Sequence, residues 1–237
     1  MANDYFSFRH FTVNQEKAVF KVGTDGVLLG ACADLAGAET ILDIGTGTGL
    51  IAIMTAQRSD AFITAIEPDK DSYDQAMENV LACKWTERIK VIKTDLREYS
   101  AGNEERFDLI ITNPPYFRDS LRNPDEKKSI ARHTFSLSSA DILEASSKLL
   151  TNEGSLQLIL PYDEGTLFIA EAASCSFFCS IIIKVKPTPA GKILRMIMKF
   201  ERTKRPVHEK YLTIETGARH QYTEEYKEVT KEFYLKL

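Results

Sequence analysis

The chain has 237 residues, of which 43% are hydrophobic and 27% charged, and its formal net charge is −4. This composition is typical of a soluble globular protein, and a chain of this length buries a full hydrophobic core without disulfides or bound metal. The small negative charge argues against a protein coated in nucleic acid. It allows a local basic patch, because net charge does not determine how charges are distributed.

The sequence shows neither a targeting segment nor a cluster of cysteines. Its first residues lack the basic and apolar regions of a signal peptide, and no apolar stretch comes near the roughly 20 residues that a membrane-spanning helix needs. The cysteines form no CxxC pair and have no histidine at metal-ligand spacing. We therefore expect a cytoplasmic protein with no membrane partner and no metal.

The first predicted elements are a short strand or hairpin and a capped helix. Residues 6–15 alternate between apolar and polar side chains, which is typical of a half-buried strand. Thr24, Asp25 and Gly26 predict a tight turn that caps a helix beginning at Val27. This turn is either a helix cap alone or, if it lies beside the glycine-rich loop that follows, part of a binding site.

Residues 40–45 predict a buried strand that leads directly into Gly45, Gly47 and Gly49 and then into a helix over residues 50–57. A strand, a glycine turn and a helix in this order form a nucleotide-type binding site. The glycines allow close approach of the backbone, and the helix amino terminus offers free N–H groups.

Two residues that flank this loop indicate the kind of ligand. Leu50 stands where a dinucleotide fingerprint requires glycine, which makes a nicotinamide-dependent oxidoreductase the weakest alternative. Asp43, inside the strand, would repel a diphosphate. A cationic or zwitterionic ligand fits this loop better, and S-adenosylmethionine, with its sulfonium and ammonium groups, is such a ligand.

The next two predicted strands, residues 61–67 and 89–95, both end on an acidic residue. Glu67 follows the glycine loop by about 20 residues, where a carboxylate binds the ribose hydroxyls of an adenosine cofactor. Asp95 is placed to accept a hydrogen bond from the adenine amino group. Each also has a purely structural interpretation, Glu67 as a carboxylate before a helix and Asp95 as a helix cap.

The fourth predicted strand, residues 107–111, is followed by the sequence TNPPY. The two prolines end the strand, so Asn113 lies at its carboxyl end, where ligands bind in open α/β sheets. The Asn113 side-chain oxygen and the Pro114 carbonyl offer two acceptors to a planar NH₂ group, and Tyr116 offers a ring to its flat face. The alternative is a Pro-Pro turn with a capping asparagine.

Two basic regions follow in the sequence. The long polar segment 117–135 is interpreted as either a substrate-holding lid or a solvated loop. Residues 177–185 and 192–200 predict an antiparallel strand pair at the sheet edge, whose lysines either contact phosphates or protect the edge from aggregation. The candidate substrate-binding residues are Arg118, Arg122, Lys127, Lys128, Arg132, Lys184, Lys186 and Lys192. In the strand pair the basic residues are predicted to be opposed only by Glu201.

The remaining predicted elements complete an α/β succession. Helices are expected over residues 138–150, 163–175 and 223–235, a fifth strand over 155–160 and a short strand over 211–214. The sequence shows no repeat, low-complexity tract or linker, so a single domain is expected.

The sequence DIGTGTG at residues 43–49, the acidic end of the second strand and NPPY at residues 113–116 resemble the class I S-adenosylmethionine-dependent amino-methyltransferases. The resemblance implies a Rossmann-like α/β fold with a seven-stranded, mostly parallel sheet in the order 3-2-1-4-5-7-6, strand 7 antiparallel, and helices on both faces. We expect one domain over residues 1–237. Residues 1–36 would be an extension over the cofactor site and residues 37–237 the core.

A closer resemblance covers nearly the whole chain. Residues 8–15, 21–30, 107–116 and 233–235 are similar to the bacterial tRNA(Val) adenine-N(6) methyltransferases. This implies a tRNA substrate, methylated at the exocyclic amino group of the adenine 3′ of the anticodon. The candidate catalytic residues are Asn113, Pro114 and Tyr116. The candidate cofactor-binding residues are Thr24, Asp25, Asp43, Gly45, Gly47, Gly49, Glu67, Asp95 and Asn113.

Other functions stay open at this point. They are methylation of a glutamine in a protein such as a release factor, guanine-N(2) methylation of RNA, and a non-catalytic protein that holds RNA. The oligomeric state is also open, with a monomer expected.

Overall fold

The computed structural model describes residues 3–115 and 137–236. A small hairpin, β1 (Tyr5–Ser7) and β2 (Thr12–Asn14), precedes the main sheet. The strands of the main sheet are β3 (Thr40–Ile44), β4 (Phe62–Glu67), β5 (Ile89–Lys93), β6 (Phe107–Thr112), β7 (Leu150–Pro161), β8 (Phe178–Lys186), β9 (Arg195–Glu201) and β10 (His208–Thr213).

The helices of the described residues are α1 (Thr24–Cys32), α2 (Leu50–Arg58), α3 (Lys70–Ala82), α4 (Leu96–Gly102), α5 (Ser139–Leu149), α6 (Tyr162–Ser174) and α7 (Glu224–Thr230), with a 3₁₀ turn at Thr86–Arg88. Helices α1, α2 and α7 pack on one face of the sheet around Leu28, Ile53 and Met54. Helices α4, α5 and α6 pack on the other face around Ile142 and Phe168.

The strand order is β5-β4-β3-β6-β7-β9-β8-β10, in which β9 is antiparallel to its two neighbours and all other pairs are parallel. Counted from β3 as the first strand, this is the predicted order 3-2-1-4-5-7-6 with strand 7 antiparallel, so the fold class is confirmed.

The far edge of the sheet differs from the prediction. An eighth strand, β10, pairs in parallel with β8, so the pair β8–β9 lies inside the sheet and not at its edge. Strand β10 is mostly exposed, and only Leu212 is buried in the core, with 4% of its surface exposed. The short strand predicted over residues 211–214 is thus present, with a start at His208, but its pairing with β8 was not predicted. With one buried side chain, it carries little of the alternation that would show where a strand begins.

Helix boundaries also differ at two places. Thr24, Asp25 and Gly26 form the first turn of α1 and not a turn before it, since the helix begins at Thr24 with Gly23 as its N-cap. Asp25 accepts a hydrogen bond from Arg195. Helix α7 ends at Thr230 because the chain beyond it returns to the amino-terminal segment, where the Arg9 N–H donates to the Phe233 carbonyl.

Across residues 3–115 and 137–236, no helix has the length and apolar character needed to cross a membrane. The same residues contain no group of three or more histidine, cysteine, aspartate or glutamate side chains placed to hold a metal ion.

Candidate active site

The carboxyl ends of β3, β4, β5 and β6 open into one cleft of about 480 Å³. This volume lies in the range of small-molecule sites, roughly 300–1,000 Å³. The cleft wall combines the glycine loop, the ends of β4 and β5, the segment 19–26 and the tip of β6. The predicted cofactor loop and the predicted catalytic asparagine therefore face the same space.

The glycine loop has the backbone that only glycine adopts without strain. Gly45, Gly47 and Gly49 have φ angles of 67°, 58° and 81°, in the left-handed region. The N–H groups of Gly45 and Thr46 donate to the Ile66 carbonyl at 2.9 and 3.1 Å, which ties the loop to β4. Gly45 and Gly47 line the cleft, whereas Gly49 is the N-cap of α2 and packs beside α3.

Glu67 joins the loop to the next helix. Its Oε2 accepts from the Gly47 N–H at 2.8 Å and its Oε1 accepts from the Asp69 N–H at 3.0 Å. Burial raises the pKa of Glu67 to about 7, although these two hydrogen bonds act in the opposite direction. Both interpretations of Glu67 therefore apply, since the carboxylate organises the start of α3 and also lines the cleft with acceptor capacity to spare.

Asp43 lies beneath the glycine loop and not on the cleft wall. Its side chain is 0% exposed, and its Oδ2 accepts from the Thr46 hydroxyl at 2.6 Å. Burial raises the pKa of Asp43 to about 7, against the effect of hydrogen bonds from Thr46 and from the Ala52 backbone. The residue supports the loop through Thr46, so any effect on a ligand is indirect.

Strand β5 ends at Lys93, two residues before the predicted end at Asp95. Asp95 instead caps α4, where its Oδ1 accepts from the Glu98 N–H at 2.8 Å. The structural alternative is thus observed. Asp95 nevertheless lines the cleft, and its second oxygen leaves an acceptor for a ligand.

Helix α1 brings its first turn against the tip of β6. Thr24, Asp25 and Gly26 all line the cleft, and Arg195 of β9 donates to Asp25 at 2.8 Å. A Cβ on Gly26 would lie 3.2 Å from Leu50 and 3.8 Å from the Asn113 Nδ2. The glycine therefore permits the close approach of α1 to the catalytic candidate.

Asn113 is held at the strand tip by its neighbours. The Thr112 hydroxyl donates to the Ile44 carbonyl at 2.9 Å, which fixes β6 against β3, and Pro114 behind Asn113 is buried. Within residues 3–115 and 137–236 the Asn113 amide makes no hydrogen bond, and Asn113 lines the cleft. Tyr116, Arg118, Arg122, Lys127, Lys128 and Arg132 lie outside the described residues.

The basic strands have more acidic partners than the sequence suggested. Lys184 donates to Glu209 at 2.6 Å and Lys199 to Asp34 at 2.9 Å, in addition to the Lys199–Glu201 pair. The prediction that Glu201 alone opposes these cations is therefore wrong. Lys186 and Lys192 make no ion pair within the described part of the chain.

A buried polar face of α3 was missed from the sequence. The Asn79 amide accepts from the Asn14 N–H at 2.8 Å and donates to the Asn14 and Thr48 carbonyls at 2.8 and 2.9 Å. Gln75 and Ser72 accept from the backbone N–H groups of Lys17 and Val19 in the same way. These side chains tie the amino-terminal segment to the helix and to the glycine loop. Their helical spacing, with polar residues where apolar ones are expected, was the available signal.

The comparisons agree with this geometry. The family model of the methyltransferase small domain matches residues 11–166. A predicted O-methyltransferase from Agrobacterium tumefaciens has a TM-score of 0.69 at 21% identity, covering 88% of this chain and 96% of that one. TYW2 from P. horikoshii, solved in complex with MeSAdo, has a TM-score of 0.59 at 13% identity, covering 86% and 74%. The fold and the cleft define a class I methyltransferase.

Relatives with higher sequence identity identify the family. The tRNA1(Val) (adenine(37)-N6)-methyltransferase of Parabacteroides distasonis is 45% identical over 100% of both chains. The protein of that name from Trichodesmium erythraeum is 42% identical, again over 100% of both. The chain belongs to the tRNA1(Val) (adenine(37)-N6)-methyltransferase family.

Proposed function

We propose that this protein transfers a methyl group from S-adenosylmethionine to the exocyclic amino group of an adenine in tRNA. Its full-length identity of 45% to a tRNA1(Val) adenine methyltransferase supports this function. The observation that supports this chemistry is that the glycine loop and the Asn113–Pro114 tip of β6 line the same cleft. The target is the adenine 3′ of the anticodon in tRNA(Val).

The cleft residues fit the cofactor. Glu67 and Asp95 each line the cleft with acceptor capacity, which suits ribose hydroxyls and an adenine amino group. The left-handed glycines leave open space where a Cβ would project, since nothing lies within 4 Å of that position at Gly45 or Gly47. S-adenosylmethionine supplies an electrophilic methyl group when it is bound there.

The strand tip prepares the nucleophile. The target base leaves its stack and enters the cleft, as bases do when enzymes modify them. The Asn113 Oδ1 and the Pro114 carbonyl accept hydrogen bonds from its amino group and localise the nitrogen lone pair. We assign Tyr116 to stacking against the base. The contribution is positioning and electrostatics, which are large when the acceptors are fixed in advance.

The arrangement of the chain is proposed as a single methyltransferase domain over residues 1–237. Residues 1–36 pack over the cofactor site and residues 37–237 form the core. The contacts of residues 14–19 with α3, and the position of residues 19–26 in the cleft wall, support this role for the extension. We also propose that the protein acts as a monomer in the cytoplasm.

The test is methyl transfer in vitro. Purified protein is incubated with labelled S-adenosylmethionine and a tRNA(Val) transcript, and the digested nucleosides are separated by mass spectrometry. We expect N6-methyladenosine from the wild-type transcript and none when the target adenine is replaced by guanine. Labelling of a release factor in a parallel incubation without tRNA, or N2-methylguanosine from the altered transcript, would instead support the alternatives. Binding of tRNA with no methyl transfer would support a non-catalytic protein.

A further inference from the structure

The outermost strand of the sheet carries an exposed aromatic side chain. Tyr211 of β10 has 58% of its surface exposed. It lies opposite Lys184 of β8, and Lys184 lies opposite Met196 of β9, so all three side chains project from the same face of the sheet. Helix α6 packs on this face over β7, β8 and β9, and β10 lies beyond it.

Two cations accompany the ring. The ammonium groups of Lys184 and Lys186 lie 5.7 and 5.6 Å from the centroid of the Tyr211 ring, within the range of cation–π attraction. Lys184 is neutralised by Glu209 at 2.6 Å, whereas Lys186 makes no ion pair within residues 3–115 and 137–236. The edge therefore combines an ordered aromatic ring with a positive charge that no carboxylate of the described chain offsets.

The register places this edge at the level of the active cleft along the strands. Thr112, next to Asn113, pairs with Leu158 of β7, and Leu160 pairs with Met196 in the row of Tyr211. The two sites are thus at nearly the same height along the strands. They are separated by four strand spacings of about 4.8 Å each, or about 19 Å across the sheet. A tRNA with one base in the cleft is large enough to reach this edge.

Protection against aggregation does not account for the ring. Edge strands use lysine to prevent pairing with other chains. Lys90 of β5, at the opposite edge, is an exposed lysine of this kind and makes no aromatic contact among the described residues. The β10 edge differs by holding a tyrosine over its lysines, and a large exposed ring adds nothing to that protection.

We propose that the Tyr211 ring stacks with a base in a single-stranded part of the tRNA while Lys186 binds a neighbouring phosphate. Aromatic side chains bind unstacked RNA bases in this way, and lysine contacts to phosphate position the backbone. The inference rests on the proposed function and names a second contact of the same substrate.

The first experiment separates stacking from strand stability. Tyr211→Thr keeps strand propensity and removes the ring. We expect the Kd for tRNA(Val) to rise about 5- to 150-fold, the equivalent of one lost base stack. The affinity for S-adenosylmethionine and kcat at saturating tRNA stay unchanged, and Tyr211→Phe binds tRNA like the wild type. Tyr5→Thr is the matched control, because Tyr5 is also 58% exposed but lies in the separate hairpin.

The second experiment tests the phosphate contact. Lys186→Gln is expected to lower the slope of log Kd against log salt by about 1, whereas Lys90→Gln leaves the slope unchanged. An equal effect of both variants on the slope would mean that Lys186 contributes only to the overall charge of the protein, and would overturn its assigned phosphate contact.

The outcomes distinguish this inference from the function on which it rests. If the wild-type protein does not bind or methylate tRNA, the proposed function fails. If it does, and Tyr211→Thr binds tRNA as tightly as Tyr5→Thr, only the stacking contact is refuted. A Tyr211→Phe variant as weak as Tyr211→Thr would also refute it, because phenylalanine retains the ring.

Discussion

The two halves of the sheet are organised differently. On the β3–β6 side, backbone groups and buried carboxylates fix the loops at the strand ends, as in the hydrogen bonds of Glu67 to Gly47 and Asp69. On the β8–β10 side, the contacts are exposed or half-exposed pairs between side chains, such as Lys184 with Glu209. The first arrangement suits a small ligand that must be held in one position. The second suits a large, flexible, charged substrate, where single contacts contribute less.

The largest expected effect is on the buried side, at the glycine loop. Gly47→Val places a branched side chain at a left-handed φ and projects it into the cleft. We expect S-adenosylmethionine binding to be lost, measured by isothermal titration calorimetry. Gly102→Val is the control, because its Cβ also meets nothing within 4 Å but Gly102 lies in α4, away from the cleft wall. Affinity near the wild-type value for Gly47→Val would exclude the loop from the cofactor site.

The second effect concerns chemistry and not binding. Asn113→Ala removes one acceptor for the amino group of the base, and by comparison with a lost oxyanion donor kcat should fall about 100- to 1,000-fold. The affinity for the cofactor should stay close to that of the wild type. Single-turnover methyl transfer at saturating tRNA measures the loss. Transfer within a few-fold of the wild-type rate would refute the role assigned to Asn113.

The sequence predicted the buried side well and the exposed side poorly. In the part of the sheet from β3 to β6, nearby residues mark the strand ends in the sequence. These are Gly45, Glu67 and the prolines after Asn113. On the other side, the partners of the cations lie far away in the chain. Lys184 and Glu209 are 25 positions apart, Lys199 and Asp34 are 165, and Arg195 and Asp25 are 170. No local pattern contains such pairs, and the same holds for the placement of β10.

The Asn79 network offers a third, smaller test, since it joins the amino-terminal segment to the buried side. Asn79→Ala leaves the Asn14 and Thr48 backbone groups without partners, and an unsatisfied buried group costs about 1–3 kcal/mol. We expect a loss of that size in the free energy of unfolding and about a tenfold weaker cofactor, measured by urea denaturation and calorimetry. Asn152→Ala, at an exposed position of β7, is expected to change neither. Lost stability with unchanged cofactor affinity would show that the network does not act on the glycine loop.

The smallest effect is a pH dependence at Glu67. It has opposite signs for the free energy of unfolding and for the affinity for the cofactor. Burial raises the pKa of this carboxyl from 4.5 to about 7, so the folded protein holds a proton that the unfolded chain has released between these values. The free energy of unfolding therefore falls as pH rises through this window, an effect that buried Asp43 shares. Ribose hydroxyls bind more strongly to the ionised carboxylate, so cofactor affinity should instead rise severalfold as pH increases through about 7. Glu67→Gln should weaken both dependences, followed by denaturation and by calorimetry between about pH 6 and pH 8. If the variant keeps the wild-type pH profile of cofactor affinity, Glu67 does not bind the cofactor through its charge.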